Sequence, residues 1–101
     1  MEKDLVKYLG NLLLHENEGL LIKLRMGDGL DKGRVSEICA VLNQIAIQWK
    51  HDDRIPKEAV DYFINIDPVM NAVLNYYSAE HQEDILAALD TIMECIRQCI
   101  E

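Results

Sequence analysis

The clearest pattern of apolar and polar positions lies at the end of the chain, from Ser78 to Glu101. Its apolar residues recur every three or four positions, at Ile85, Leu89, Ile92, Ile96 and Cys99, with Leu86, Met93 and Ile100 beside them. This spacing predicts an amphipathic helix that buries one face. Ser78 is a suitable N-cap, because its hydroxyl can accept a hydrogen bond from a free amide of the first turn.

Residues 3–26 carry leucine rows on both sides of a polar centre. A glycine within a helix costs about 1 kcal/mol relative to alanine. We therefore expect a bend or break near Asn17–Gly19, with Asn17 able to cap a second short helix. Gly27 suits the residue that follows a helix end, because it tolerates a left-handed backbone.

Two further amphipathic stretches follow. In residues 32–50 the apolar row is Val35, Ile38, Leu42, Ile45 and Trp49, and Asp31 is the expected cap. In residues 56–77 it is Ala59, Phe63, Ile66, Met70, Val73 and Tyr77. Pro68 interrupts this second row and removes one amide donor, which predicts a helix that is kinked or split there, with Asp67 capping the resumed part.

These patterns predict an all-α fold in a single domain, residues 1–101. No segment alternates apolar and polar residues over a useful length, so no strand is expected. The predicted architecture is an irregular antiparallel bundle of four main helices with short connections. The first helix is bent near Asn17–Gly19 and the third is kinked or split at Pro68.

Charge changes this picture, because it is distributed unevenly. The chain carries a formal charge of -8. From Ser78 onward there are six acids against Arg97 alone, which leaves -5 on the last helix. Such a field opposes binding to nucleic acid or to anionic membranes and attracts a basic partner.

Cysteine usage and hydropathy bear on the compartment. The three cysteines, Cys39, Cys95 and Cys99, all fall in apolar helical patterns. An odd number without a recognisable secretion signal favours reduced thiols in a cytoplasmic, soluble protein. No apolar run approaches the roughly 20 residues that span a bilayer.

No motif indicates an enzyme or a cofactor. The segment GDGLDKG has three glycines, but it follows a helix and lacks the ending of a phosphate-binding loop, so a plain turn is expected. The cysteines are expected to pack in the core rather than bind metal, because zinc usually requires four ligands. A metal- or thiol-dependent protein remains an alternative.

The acidic side of the last helix is the main candidate site. Its residues are Glu80, Glu83, Asp84, Asp90, Glu94 and Glu101. Tyr76 lies outside the apolar rows and is a candidate aromatic anchor for a partner or a second copy. We expect a protein-binding module, for example an inhibitor or immunity-type protein that blocks a basic partner. The alternative is a structural homo-oligomer such as a dimer.

Overall fold

Five α-helices and one 3₁₀ turn form the described part of the chain, residues 4–101 of this computed structural model. They are α1 (Leu5–Leu14), α2 (Leu20–Arg25), α3 (Lys32–Gln48), α4 (Lys57–Ala72), the 3₁₀ turn (Val73–Tyr76) and α5 (Ala79–Ile100). Between residues 4 and 101 there is no strand, which confirms the all-α class.

The expected break in the first pattern is confirmed, and it divides that pattern into α1 and α2. The cap was predicted wrongly: Gly19 and not Asn17 precedes α2. Its amide donates to the His15 carbonyl at 2.9 Å. A Cβ on Gly19 would lie 2.5 Å from the His15 nitrogen and 2.6 Å from the Leu13 oxygen. Glycine is needed here because two backbone segments touch.

The loop between α2 and α3 has the left-handed backbone predicted at Gly27 and the cap predicted at Asp31. Gly27 has a φ of 81° and Gly29 a φ of 92°, values that favour glycine. The Asp31 carboxylate accepts from the Arg34 amide at 3.0 Å, so the predicted cap is confirmed. This hydrogen bond, followed by the one from Lys23, lowers the pKa of Asp31. The Lys23 ammonium lies 3.1 Å from that carboxylate.

Of the two forms expected at Pro68, a kinked or a split helix, the split was wrong and the kink stays a prediction. α4 runs without interruption from Lys57 to Ala72, and the change to 3₁₀ geometry comes later, at Val73. Pro68 and Ile64, whose carbonyl loses its helical partner, are both exposed, so water can hydrate the free carbonyl. Asp67 is not a cap, and its carbonyl accepts from the Asn71 side chain at 3.0 Å.

The helix order in space is not that of a fully antiparallel bundle. α3 and α5 lie side by side and run in the same direction, because the contacts advance together along both helices. Val35 and Ala88 line one groove near the helix starts, and Cys99 reaches the Leu42 carbonyl at 3.2 Å further on. α1 runs the other way beside α3, because the Tyr8 hydroxyl donates to Glu37 at 3.5 Å, whereas Glu18, which follows the end of α1, contacts Arg34 nearer the start of α3 at 3.6 Å.

The buried apolar residues form one continuous core. The predicted α5 row of Ile85, Leu89, Ile92, Ile96 and Cys99 is buried throughout. The predicted widening of that row was partly wrong, because Leu86 and Ile100 are 40% and 58% exposed. They lie at the edge of the stripe, away from its buried centre, and Ala88 is buried on the opposite edge.

Tyr77 joins the start of α5 to the loop after α2. Its hydroxyl donates to the Leu24 carbonyl at 2.7 Å and accepts from the Gly29 amide at 3.2 Å. Ser78 occupies the predicted N-cap position, but its hydroxyl makes no capping bond and contacts His81 Nδ1 at 3.0 Å. The Tyr77 contacts therefore hold this end of α5 in place of the expected serine cap.

We expect Gly19→Ala to lower the free energy of unfolding by about 1–3 kcal/mol, because the new methyl group would overlap backbone atoms that must then shift. Gly33→Ala is the control, since its Cβ would lie 3.4 Å from the nearest atom, Asp31 Oδ1. That variant should be neutral or up to about 1 kcal/mol more stable. Denaturant unfolding followed by circular dichroism measures both, and equal stabilities would contradict the close backbone approach.

Candidate functional site

The six predicted acidic residues share one surface, formed by α5 and the residue that follows it, Glu101, which we call the acidic face. Its members are Glu80, Glu83, Asp84, Asp90, Glu94 and Glu101, and all six are exposed. At about 100° per residue they fall within an arc of roughly 120°, opposite the buried row. Burial of the row in the core therefore directs all six carboxylates towards solvent.

Most of these carboxylates have no counter-ion within residues 4–101. Glu94 pairs with Arg97 at 3.0 Å, and the other five form no ion pair there. The residues between them, Ala87, Thr91 and Gln98, carry no charge. Among residues 4–101, five of the six charges of the acidic face are thus uncompensated by an ion pair.

A groove borders the acidic face on the side of α3. It has a volume of about 320 Å³ and is lined by Leu30, Lys32, Val35, Ser36, Asp84, Ala87, Ala88 and Thr91. Asp84 belongs to both the groove and the acidic face, so an apolar surface and a carboxylate meet there. Lys32 is the one cation among the lining residues. Ala87 and Ala88 have small side chains, which leave space in this part of the groove.

Tyr76 is exposed, as expected for an anchor, at 68% of its surface. It lies at the end of the 3₁₀ turn and lines a different cavity, together with Arg25 and residues of α4. None of the six acids lines that cavity. The structure therefore does not combine Tyr76 and the acidic face into one site.

The three cysteines are free thiols at the contact between α3 and α5. Cys99 is buried and donates to the Leu42 and Cys95 carbonyls at 3.2 and 3.4 Å. Burial, followed by the charge of Cys95, raises the pKa of Cys99 to about 11. Burial also raises the pKa of Cys39 to about 11, with smaller contributions from the charge and hydrogen bond of Cys95. Within residues 4–101 no three His, Cys, Asp or Glu side chains are grouped to hold a metal ion.

Sequence reasoning found the acidic face but missed the groove and the cavity at Tyr76. The face follows from helical periodicity, which is a local property of the sequence. Both hollows form between segments that are distant along the chain. The only local signal for the groove was the pair Ala87–Ala88, which leaves space beside a neighbouring helix.

Comparisons with known proteins do not supply a family. No protein-family model, curated protein or solved structure matches the chain. Over residues 4–101, every helix is too short or too polar to cross a lipid bilayer. The function must therefore be argued from the geometry of the surfaces described above.

We expect Cys39 and Cys99 to react slowly with an aromatic disulfide reagent in native buffer and rapidly in denaturant. A pKa near 11 in place of the ordinary 9.0 lowers the thiolate fraction at neutral pH about 100-fold. Mass spectrometry of the labelled peptides identifies each site. Fast native labelling of both residues would contradict their burial.

The raised pKa values of Cys39 and Cys99 also make the stability of the folded protein depend on pH. Because folding favours the protonated thiols, their contribution to stability is complete below pH 9.0 and is lost as the pH rises towards about 11. Stability should therefore fall less over this range in a Cys39→Ala/Cys99→Ala variant than in the parent protein.

Proposed function

We propose that this protein is a non-enzymatic module that binds a basic protein partner through the acidic face. The observation that carries the proposal is the row of five exposed carboxylates, four on α5 and one on its C-cap Glu101, that have no ion pair within residues 4–101. A surface of this kind attracts cationic groups over several ångströms and raises association rates when the partner is basic.

Repulsion within the acidic face gives a thermodynamic reason for binding. Glu80 lies one helical turn from Glu83 and Asp84, and Asp90 lies one turn from Glu94. Like charges at these spacings destabilise a helix by about 0.2–0.5 kcal/mol per pair. A basic partner would neutralise the carboxylates and remove this cost, whereas the free protein retains it.

The groove beside Asp84 provides a place where a partner side chain can lose contact with water. Leu30, Val35 and Ala88 are apolar groups that can cover the carbon chain of a lysine or arginine. The Asp84 carboxylate at the rim suits the cationic head. Interfaces need such anchors, because charge alone contributes mainly to association rate and specificity.

The specific form that we propose is an inhibitor or immunity-type protein. In this role the acidic face would cover the basic working surface of a toxin or an enzyme. An acidic helix can compete with a polyanion for a cationic surface, because both present rows of negative charge.

We expect Glu83→Gln/Asp84→Asn/Asp90→Asn to slow association with the partner about tenfold and to flatten its dependence on salt. The folded state should be equally stable or more stable by tenths of a kcal/mol, because like-charge repulsion falls. The partner is first isolated from the native cell by pull-down. Association rates are then measured by stopped flow at two ionic strengths.

The matched control is Glu16→Gln/Asp52→Asn/Asp53→Asn, which removes the same charge from exposed loop positions. This variant should associate within about threefold of the parent rate, since its substitutions lie off the acidic face. If both triple variants associate with the partner at the same rate, net charge rather than the acidic face governs association, and the proposal fails.

A second candidate function is a structural homo-oligomer, which exposed apolar residues on two packed helices favour. Ile64 on α4 is 63% exposed and Ile100 on α5 is 58% exposed. If these residues mediate self-association, a dimer should persist at nanomolar concentration in native mass spectrometry. Ile64→Gln should then dissociate it, and Leu14→Gln, at another exposed apolar position, should not. A monomer at all concentrations would exclude this candidate.

A further inference from the structure

A cavity lies between the end of α2 and the end of α4. It measures about 520 Å³ and is lined by Arg25, Pro68, Val69, Ala72, Val73 and Tyr76. This volume falls within the range of about 300–1,000 Å³ that holds small molecules in proteins. We call it the Arg25 cleft.

The floor of the Arg25 cleft is apolar and rests on the hydrophobic core. Val73 is 2% exposed and belongs to the core, and Val69 packs against the core from one side. Pro68 and Ala72 complete the floor with small or rigid surfaces. A preformed apolar floor favours an apolar ligand body, because little side-chain ordering is needed on binding.

The polar side-chain groups of the cleft are hydrogen-bond donors that have no partner within residues 4–101. Neither the Arg25 guanidinium nor the Tyr76 hydroxyl has a hydrogen bond or ion pair to any residue between 4 and 101. Two other arginines are paired: Arg34 with Glu18 and Glu37, and Arg97 with Glu94. A guanidinium can donate two parallel hydrogen bonds to one carboxylate.

Among residues 4–101 no acidic residue lines the Arg25 cleft, although the chain carries a net charge of -8. The local charge of the cleft is therefore opposite to that of the protein as a whole. Arg25 also lies in the last turn of α2, where a cation is favourable, but that role leaves its donors free. A negatively charged group is the complement that this arrangement lacks.

We propose that the Arg25 cleft binds a small organic carboxylic acid with an aromatic or branched aliphatic body. The carboxylate lies against the Arg25 guanidinium, and the Tyr76 hydroxyl donates a further hydrogen bond. The apolar body covers Pro68, Val69 and Val73. This binding is separate from the proposed partner interaction, because no residue of the acidic face lines the cleft.

The test uses the full chain, with 3-phenylpropionate as the probe in two-dimensional NMR titrations. Acetate presents the carboxylate without the apolar body, and 3-phenylpropionamide presents the body without the charge. Both should bind at least about tenfold more weakly than 3-phenylpropionate. The NMR chemical-shift changes that 3-phenylpropionate causes should be concentrated at Arg25, Val69, Ala72 and Val73. Equal binding of either control compound, or shifts centred elsewhere, would overturn the proposal.

Two variants test the donors separately. Arg25→Gln should weaken 3-phenylpropionate binding about tenfold, and Tyr76→Phe should weaken it several-fold, because each removes a hydrogen bond to the carboxylate. Both positions are exposed, so the fold should be retained, as the dispersion of the NMR spectrum will verify. Arg54→Gln is the matched control, since it removes an arginine from a loop outside the cleft. Its affinity should be unchanged.

A last titration shows whether the cleft is suited to the carboxylate of a small acid or to the C-terminal carboxylate of a polypeptide. An N-acetylated tetrapeptide that ends in phenylalanine with a free carboxylate carries the same recognition groups on a chain terminus. If the cleft is built for small acids, this peptide should bind no more tightly than 3-phenylpropionate. Tighter binding by the peptide would overturn the small-acid proposal in favour of a protein C-terminus as the occupant.

Discussion

The contact between α3 and α5 is the interaction on which the rest of the structure depends. The buried row of α5 packs into the core beside Ile38, Leu42 and Ile45 of α3. Apolar burial at roughly 25 cal/mol per Å² makes this contact a dominant stabilising term, and it fixes the rotation of α5 about its own axis. Once that rotation is fixed, the opposite surface must face solvent, and this is where the acids lie.

Local contacts at the ends of the helices determine where the hollows form. Tyr77 ties the Gly27–Gly29 loop to the start of α5, which brings Leu30 to the groove beside Asp84. The Gln82 side chain strengthens this end of α5 by donating hydrogen bonds to the Leu74 and Tyr77 carbonyls, at 2.9 Å each. These bonds hold the walls of the groove to the same core that orients the acidic face.

The two proposed binding surfaces differ in the physics of recognition. The acidic face is broad and exposed, so it suits steering of a large basic partner and depends strongly on salt. The Arg25 cleft is concave and combines an apolar floor with two polar groups, so it suits a small ligand that is oriented by one charged group. They share no lining residue. Either surface can therefore be altered by substitution with little direct effect on the other.

By itself the sequence determined the helical segments, the break near Gly19, the Asp31 cap and the placement of six acids opposite an apolar row. These features depend on residues within a few positions of each other, and helical periodicity makes them legible. The tertiary structure alone decided that α4 continues through Pro68, that Leu86 and Ile100 stay exposed, and that α3 and α5 run in parallel. It also created the groove and the Arg25 cleft. Those features depend on which distant surfaces meet in the core, and local spacing carries no information about that choice.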